Sequence, residues 1–367
     1  MSAPTDARTE QSAPPTTGAV DVDVHHDLAA VEELFPYLDA HWRDYVVERG
    51  LPGFDTNYYP QASPMSVRPD LLRPDGPPPA TDPATVAADV LDRTGSSTAI
   101  LNCLYGVQPM QNEYLAAALS SALNDWQRER WLAVDPRLRA SIVVPTQNAE
   151  LAAREIDRTA ADGAFVQVLM FVRDRMQLGK RFFWPIYEAA ERHGLPIAVH
   201  PFGSFNHPNT PAGWASTYIE EYVAQAQLFH AQVVSIVCQG VLARFPELRF
   251  VLLESGASWL PPLMWRFDKD WKGLRHDTPW VDRAPSDLIR RHFRLATAPL
   301  DVEGPDGLLR LIDQLGSDEM LLYSSDYPHH HHDPGVGSVL GLPDDLRQKV
   351  LSGNARALYP LDRGGHR

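Results

Sequence analysis

The sequence predicts an α/β fold, specifically a (β/α)8 TIM barrel with a long insertion after the first strand. Short β-rich runs alternate with longer stretches of helical periodicity, the pattern of βα units around a parallel sheet. The strand-like runs reach the count of about eight that a closed barrel needs. Several are almost continuously apolar, as strands covered on both faces must be.

The strands are expected at Ala19–Val24, Thr98–Leu104, Ala140–Val144, Phe165–Phe171, Pro196–His200, Leu248–Leu253, Phe293–Ala296 and Met320–Ser324. Helices fit between them. Asn148–Asp162 has apolar residues at helical spacing, Asn148 to cap its start and Gly163 beyond its end. Arg181–His193 stops at Gly194. Trp214–Phe245 reads as one long helix, or two broken at Gly240. Ser258–Arg275 carries Trp259, Trp265 and Trp271 at near-helical spacing, which predicts a packing stripe. The connection from Asp27 to Ser97 is unusually long, with a helical piece near Leu28–Arg49 followed by the Pro-rich Leu51–Pro83. Long connections of this kind are often functional. This one would emerge on the face where strands end and would roof it.

Composition bounds the rest. With 44% hydrophobic and 22% charged residues, the 367-residue chain has material for a sizeable core. Length alone would suggest two domains, but barrels of this size form one. A single domain is expected over residues 19–362, behind a disordered tail at 1–18 that is rich in Ser, Thr, Pro and Ala and lacks the apolar core of a signal peptide. The net charge of −14 disfavours nucleic acid and anionic membrane as partners. No run approaches the roughly 20 apolar residues that span a bilayer. Cys103 and Cys238 sit in apolar runs without CxxC spacing, so reduced thiols and a cytoplasmic location are expected. There is no GxGxxG, Walker A or G-x-S-x-G segment, so cofactor redox and phosphoryl transfer lack support.

The chemistry sits at strand ends. In a parallel barrel these open onto one face, so residues far apart in sequence meet there. Asp23 and His25 close the first strand two apart, on one side of it. His200 closes the fifth, before Pro201, and Asp326 follows the last in Ser324-Ser325-Asp326-Tyr327-Pro328. Each alone has an ordinary structural reading, as a capping group or a turn carboxylate. Together, two carboxylates and two imidazoles suit one divalent ion, Zn2+ or Mn2+. Glu254 ends the sixth strand as a proton shuttle, a further ligand or an acceptor for loop amides, with burial expected to raise its pKa. Of the run His329 to His332, one imidazole should line the pocket, and His26 should point away from it.

Several segments resemble a known family. They are Asp21-Val22-Asp23-Val24-His25, Val199-His200-Pro201, Phe245 through Gly256, Ser324-Ser325-Asp326-Tyr327-Pro328-His329 and Gly353-Asn354-Ala355. They are similar to the amidohydrolase-2 branch of the amidohydrolase superfamily, that of aminocarboxymuconate-semialdehyde decarboxylase and related metal-dependent enzymes. The resemblance spans roughly Val20 to Tyr359. It implies a distorted (β/α)8 barrel with one zinc or manganese ion held by Asp23, His25, His200 and Asp326. The chain departs from the pattern twice: Asp23 stands where the type enzyme has His, and Glu254 replaces the sixth-strand catalytic His. No lysine in Phe165–Phe171 is available as a carbamate bridge, which argues against two ions.

The resulting expectation is a mononuclear metal-dependent enzyme with Asp326 and Glu254 as its acid/base groups. Non-oxidative decarboxylation of a small aromatic or unsaturated carboxylic acid leads; hydrolysis of a cyclic amide, lactone or C–C bond follows; a metal-less binding protein comes last. His329, Arg43, Arg68 and Tyr59 are the candidate substrate contacts, with Trp42 and Tyr58 part of the aromatic-rich cover. The partner is a small molecule, and the tryptophan-bearing helix offers a homodimer surface.

Overall fold

A computed structural model describes residues 16–51, 67–73, 76, 78–203, 207–330 and 335–361. Its frame is an eight-stranded parallel sheet in sequential order. The strands are β1 (Val20–His26), β2 (Thr98–Cys103), β3 (Leu138–Val143), β4 (Phe165–Arg173), β5 (Ile197–Gly203), β6 (Phe250–Leu252), β7 (Phe293–Ala296) and β8 (Leu321–Leu322). Each expected strand is present, with boundaries shifted by a few residues. β8 has only two residues and β6 three, because the chain turns into functional loops immediately after them.

The sheet closes on itself through the segment that follows β8. The N–H groups of Val22, His25 and Asp326 donate to the carbonyls of Tyr323, Tyr327 and Asp23 respectively, at 3.0, 2.7 and 3.0 Å. This seam sets the residues after β8 directly beside the end of β1.

The flanking helices are α1 (Ala40–Arg49), α2 (Glu113–Trp126), α3 (Ala149–Thr159), α4 (Trp184–His193), α5 (Tyr218–Cys238), α6 (Leu260–Leu274), α7 (Pro285–His292) and α8 (Gly304–Leu315). The Asn148 side chain accepts from Leu151 N–H at the start of α3, as its sequence predicts. The long helical stretch does divide at Gly240, whose φ of 79° favours glycine and whose missing Cβ makes room for the Trp280 ring.

Apolar side chains form two layers. One fills the space between strands and helices. The other fills the barrel interior, where Val20, Val22, Ile100, Leu169, Phe171, Ala198, Val251 and Leu322 meet Ala355, Tyr359 and Leu361 from the C-terminal segment. Arg139 Nη2, at the start of β3, donates to the Leu361 carbonyl at 3.0 Å, so that segment seals the end of the barrel opposite the strand C-termini.

Two expectations need correction. Thr16 is already buried and its N–H bonds Thr94 O at 2.7 Å, so the fold engages the chain before residue 19; residues 1–15 lie outside the described residues. In the tryptophan stripe, Trp259 and Trp271 pack against the core, but Trp265 is exposed, because α6 turns that position outward. In the insertion after β1 the expected helical piece is present as Val31–Tyr37 and α1, with further short helical pieces at Pro69–Leu71 and Pro83–Asp92; residues 52–66 lie outside the described residues.

At the end of α7, His292 is buried, with Nδ1 2.8 Å from Leu248 O just before β6. Burial foremost, then nearby Arg249 and Arg291, push its pKa down to about 4. The unfolded chain therefore takes up the proton first as pH falls. The stability held above about pH 6.5 is lost progressively toward pH 4. Urea unfolding should show this loss, on the order of 1–3 kcal/mol, and His292→Gln should flatten that part of the profile.

Candidate metal centre

β1 delivers two side chains to the barrel mouth. Pairing with β2 sets His25 opposite Asn102, whose carbonyl lies 3.1 Å from His25 Nδ1. A carbonyl only accepts, so Nδ1 carries the hydrogen and Nε2 is the ring nitrogen turned toward the centre. Asp23 accepts from Asn102 Nδ2 through Oδ1 at 2.8 Å. β5 delivers His200, which pairs in register with Phe171 of β4.

The other two strand ends deliver acids from strained backbone. Glu254 after β6 and Asp326 after β8 have φ of 46° and 53°, the left-handed region that non-glycine residues avoid. Each is held there by a carboxylate from a neighbouring element. Asp301, beyond β7, accepts from the N–H groups of Ala257 and Ser258 at 3.0 and 3.1 Å and from Ser258 Oγ at 2.7 Å. Gly256 must be glycine for that approach, since a Cβ there would lie 2.6 Å from Asp301 Oδ2. Asp21 performs the same task at the seam, accepting from Ser325 N–H at 3.0 Å. Neither residue stands out in the sequence, because a carboxylate that accepts loop amides looks like any other Asp.

The delivered groups converge. Potential donor atoms of Asp23, His25, His200 and Glu254 all lie within 4.8 Å of one another, as do those of His25, Glu254, Asp326 and His329. His25 Nε2 is 2.8 Å from Asp326 Oδ1, 3.5 Å from Glu254 Oε1 and 3.6 Å from Asp23 Oδ1. His200 Nε2 is 2.6 Å from Glu254 Oε1, and His329 Nδ1 is 2.8 Å from Asp326 Oδ1. The four ligands expected from sequence are thus together, but Asp326 joins through His25 and Glu254 rather than in one set with Asp23 and His200.

Whether a cation fits can be judged from the polar atoms left over. His200 Nε2 and Glu254 Oε1 are close, yet neither makes a hydrogen bond of acceptable geometry, and buried Asp23 Oδ2 has no partner either. Orphaned buried polar atoms are costly. Here they belong to side chains that converge on one small volume. Three carboxylates also crowd into the same small volume, which calls for positive charge. The residues present therefore fit a divalent cation, with nitrogen and oxygen donors suited to Zn2+ or Mn2+.

The electrostatics correct one expectation. Burial and Asp326 push the Glu254 pKa up, but the imidazoles of His200 and His25 outweigh them and bring it down to about 2. Burial raises Asp23 well above the usual carboxylate range, against the pull of His25.

The remaining candidates fall in different places. His329 borders the cluster with 28% of its side chain exposed, whereas the side chains of Asp23, His25, His200, Glu254 and Asp326 are exposed by 9% or less. His26 is turned away, as expected, and stacks on Trp126. The Arg68 backbone N–H donates to Pro328 O, which brings the insertion against the Asp326 loop, but its guanidinium is engaged by Asp70 at 2.7 and 3.0 Å. Arg43 lies on α1, with Nε 3.5 Å from Asp44 Oδ1, and Trp42 packs at the core edge. Tyr58, Tyr59, His331 and His332 lie outside the described residues. A separate cavity of about 220 Å³, lined by Gly240, Trp280 and His292, shares no residue with the cluster.

A family model described as amidohydrolase matches residues 22–361. The chain belongs to the amidohydrolase family. Among curated proteins, this amidohydrolase is similar to a gamma-resorcylate decarboxylase of Polaromonas sp. (strain JS666 / ATCC BAA-500), 24% identical over 295 residues, 75% of this chain and 86% of that protein. Among solved structures it resembles a dihydroxybenzoic acid decarboxylase from Polaromonas sp. JS666 with bound manganese and the inhibitor 2-nitroresorcinol, with a TM-score of 0.67, 20% identity and coverage of 95% and 98% of the two chains. It also resembles 5-carboxyvanillate decarboxylase from Sphingomonas paucimobilis, with a TM-score of 0.66, 22% identity and coverage of 93% and 98%. At such identities the solved structures establish the shared fold. Among the described residues, no helix is long and apolar enough to cross a membrane.

The Asp301 contacts generate a prediction. Asp301→Ala should cost about 1–3 kcal/mol in urea unfolding and lower the manganese retained per chain after gel filtration, because Glu254 loses its support. Unchanged manganese retention would show that Glu254 holds its position without Asp301.

Proposed function

We propose that this amidohydrolase is a mononuclear metal-dependent carboxy-lyase that removes CO2, without oxidation, from a small aromatic or unsaturated carboxylic acid. The observation that carries the reading is the convergence of Asp23, His25, His200, Glu254 and Asp326 at the mouth of the barrel with buried donor atoms left unpaired. The similar decarboxylases give it its chemical direction.

In this reading Asp23, His25, His200 and Asp326 hold one Zn2+ or Mn2+, and Glu254 adds a further oxygen donor. When bound, the ion supplies fixed positive charge for the substrate carboxylate and an adjacent oxygen. Asp326 passes the proton. As the bond between ring carbon and carboxyl carbon breaks, its electron pair stays on the ring carbon, CO2 departs and the proton from Asp326 bonds to that carbon. His329 shares Asp326 Oδ1 and reaches solvent, so it returns a proton to Asp326 after each turnover. Glu254 Oε1 lies 2.6 Å from His200 Nε2 and 3.5 Å from His25 Nε2, which places it among the ligands.

One observation favours a second reading. A carboxylate ends β6 where the resemblance calls for a catalytic imidazole, and this suits a hydrolase of a cyclic amide, lactone or C–C bond. Product analysis separates the two: the first yields one CO2 per turnover and solvent hydrogen at the ring carbon, the second incorporates water oxygen.

A soluble homodimer in the cytoplasm completes the reading. Exposed Trp265 and Leu274 on α6 support the contact, and the free thiols of Cys103 and Cys238 support a reducing compartment. His200→Ala should lose metal and activity together. Asp326→Asn should lower kcat by at least 100-fold. Full metal content in His200→Ala, measured by elemental analysis, would remove that ligand from the set.

A further inference from the structure

Inside the barrel, beneath the cluster, lies a chain of buried polar groups that the reaction does not use directly. Tyr359 O–H donates to Gln167 Oε1 at 2.8 Å. Gln167 Nε2 donates to Asn102 Oδ1 at 3.1 Å and to Ser141 Oγ at 2.8 Å. Ser141 O–H donates to Asn102 Oδ1 at 2.5 Å. Asn102 Nδ2 donates to Asp23 Oδ1 at 2.8 Å and to Val22 O at 3.2 Å. Asn102, Ser141 and Gln167 are fully buried, and Tyr359 is 3% exposed.

Donors and acceptors fix the direction of this chain. The Asn102 amide nitrogen must face Asp23 and Val22, since both offer acceptors. Its oxygen then faces two donors. Flipping either amide would set acceptor against acceptor in a dry interior, at the cost of unpaired buried groups. The orientation of Asn102 is therefore set from below, by Ser141 and Gln167, and ultimately by a tyrosine on the segment that seals the far end of the barrel.

We infer that Asn102 is the positioning residue for both first-strand ligands, and that the Tyr359–Gln167–Ser141 chain locks it in place. This inference rests on the metal-dependent reading above. The Asn102 side chain donates to Asp23 Oδ1, the oxygen 3.6 Å from His25 Nε2, and so fixes the orientation of the carboxylate, whose Oδ2 has no hydrogen bond. The Asn102 backbone carbonyl holds His25 Nδ1–H and leaves Nε2 as the coordinating nitrogen. One residue on β2 thus orients two donors on β1. Partners of this kind behind metal ligands commonly contribute 10- to 100-fold in metal affinity.

The alternative is a purely structural network. It predicts lower stability of the metal-free protein with no change in the affinity of the folded chain. The test is the Mn2+ dissociation constant of the full-length protein, measured by competition with a chelating indicator, alongside urea unfolding of the metal-free form. Asn102→Ala should weaken Mn2+ binding about 10- to 100-fold. Ser141→Ala, a smaller change at a buried site, should weaken it about fivefold, and Tyr359→Phe should weaken it less, in the same direction. Wild-type affinity in folded Asn102→Ala overturns the inference. If that variant does not fold, wild-type affinity in Ser141→Ala overturns it. A wild-type chain that binds no stoichiometric Mn2+ overturns the metal reading, and the inference with it.

Discussion

Closure of the sheet between its last and first strands is the constraint on which the molecule depends. An open sheet with the same strands would leave Asp326 at one edge and Asp23 at the other. The seam hydrogen bonds from Val22, His25 and Asp326 bring those edges together, and Asp23 O itself accepts the Asp326 N–H. Barrel geometry thus does more than present strand ends on one face: it sets the first and last ligands side by side. The shortness of β8 follows, because the chain must leave the strand after two residues to place Asp326 in its left-handed turn.

The site concentrates charge in a way that is expensive without a cation. Three carboxylates and three imidazoles share one pocket mouth, most of them buried. The protein meets part of the cost with imidazole–carboxylate contacts, which lower Glu254, while burial leaves Asp23 raised. What remains is Asp23 Oδ2, which has no hydrogen bond, and the His200 Nε2 and Glu254 Oε1 atoms, which meet only each other. A divalent ion answers both the charge and the unpaired atoms, which is why the same atoms that destabilise the bare fold are the ones suited to hold it.

Two levels of support lie behind these groups. Asp21 and Asp301 hold loop amides and so keep Asp326 and Glu254 in strained backbone. Asn102 and the polar chain beneath it orient Asp23 and His25 from inside the barrel. The pattern is economical in sequence terms, because each supporting residue lies on a strand or loop adjacent to the ligand it serves. Asp23 and His25 are each held by a hydrogen bond to Asn102, whereas His200 is placed by the register of β5 alone.

Alternating patterns and near-continuous apolar runs determined the eight strands and their order, since parallel strands buried on both faces must be apolar and must be separated by helices. Asp23, His25, His200 and Asp326 could be singled out only as a set, because each alone has an ordinary role at a strand end and it is their shared position on one barrel face, with the family resemblance, that points to a cation. The tertiary structure alone decided the rest. Glu254 entered the ligand cluster with a lowered pKa because two imidazoles reach it, and nothing in its neighbours along the chain announces them. Arg68, plausible as a substrate anchor from charge alone, pairs with Asp70, a contact its position in the sequence does not announce. Asn102, Gln167 and Tyr359 are ordinary residues in sequence. Their roles exist only because closing the barrel stacks three distant segments along one axis, where a hydrogen bond has no water to compete with it.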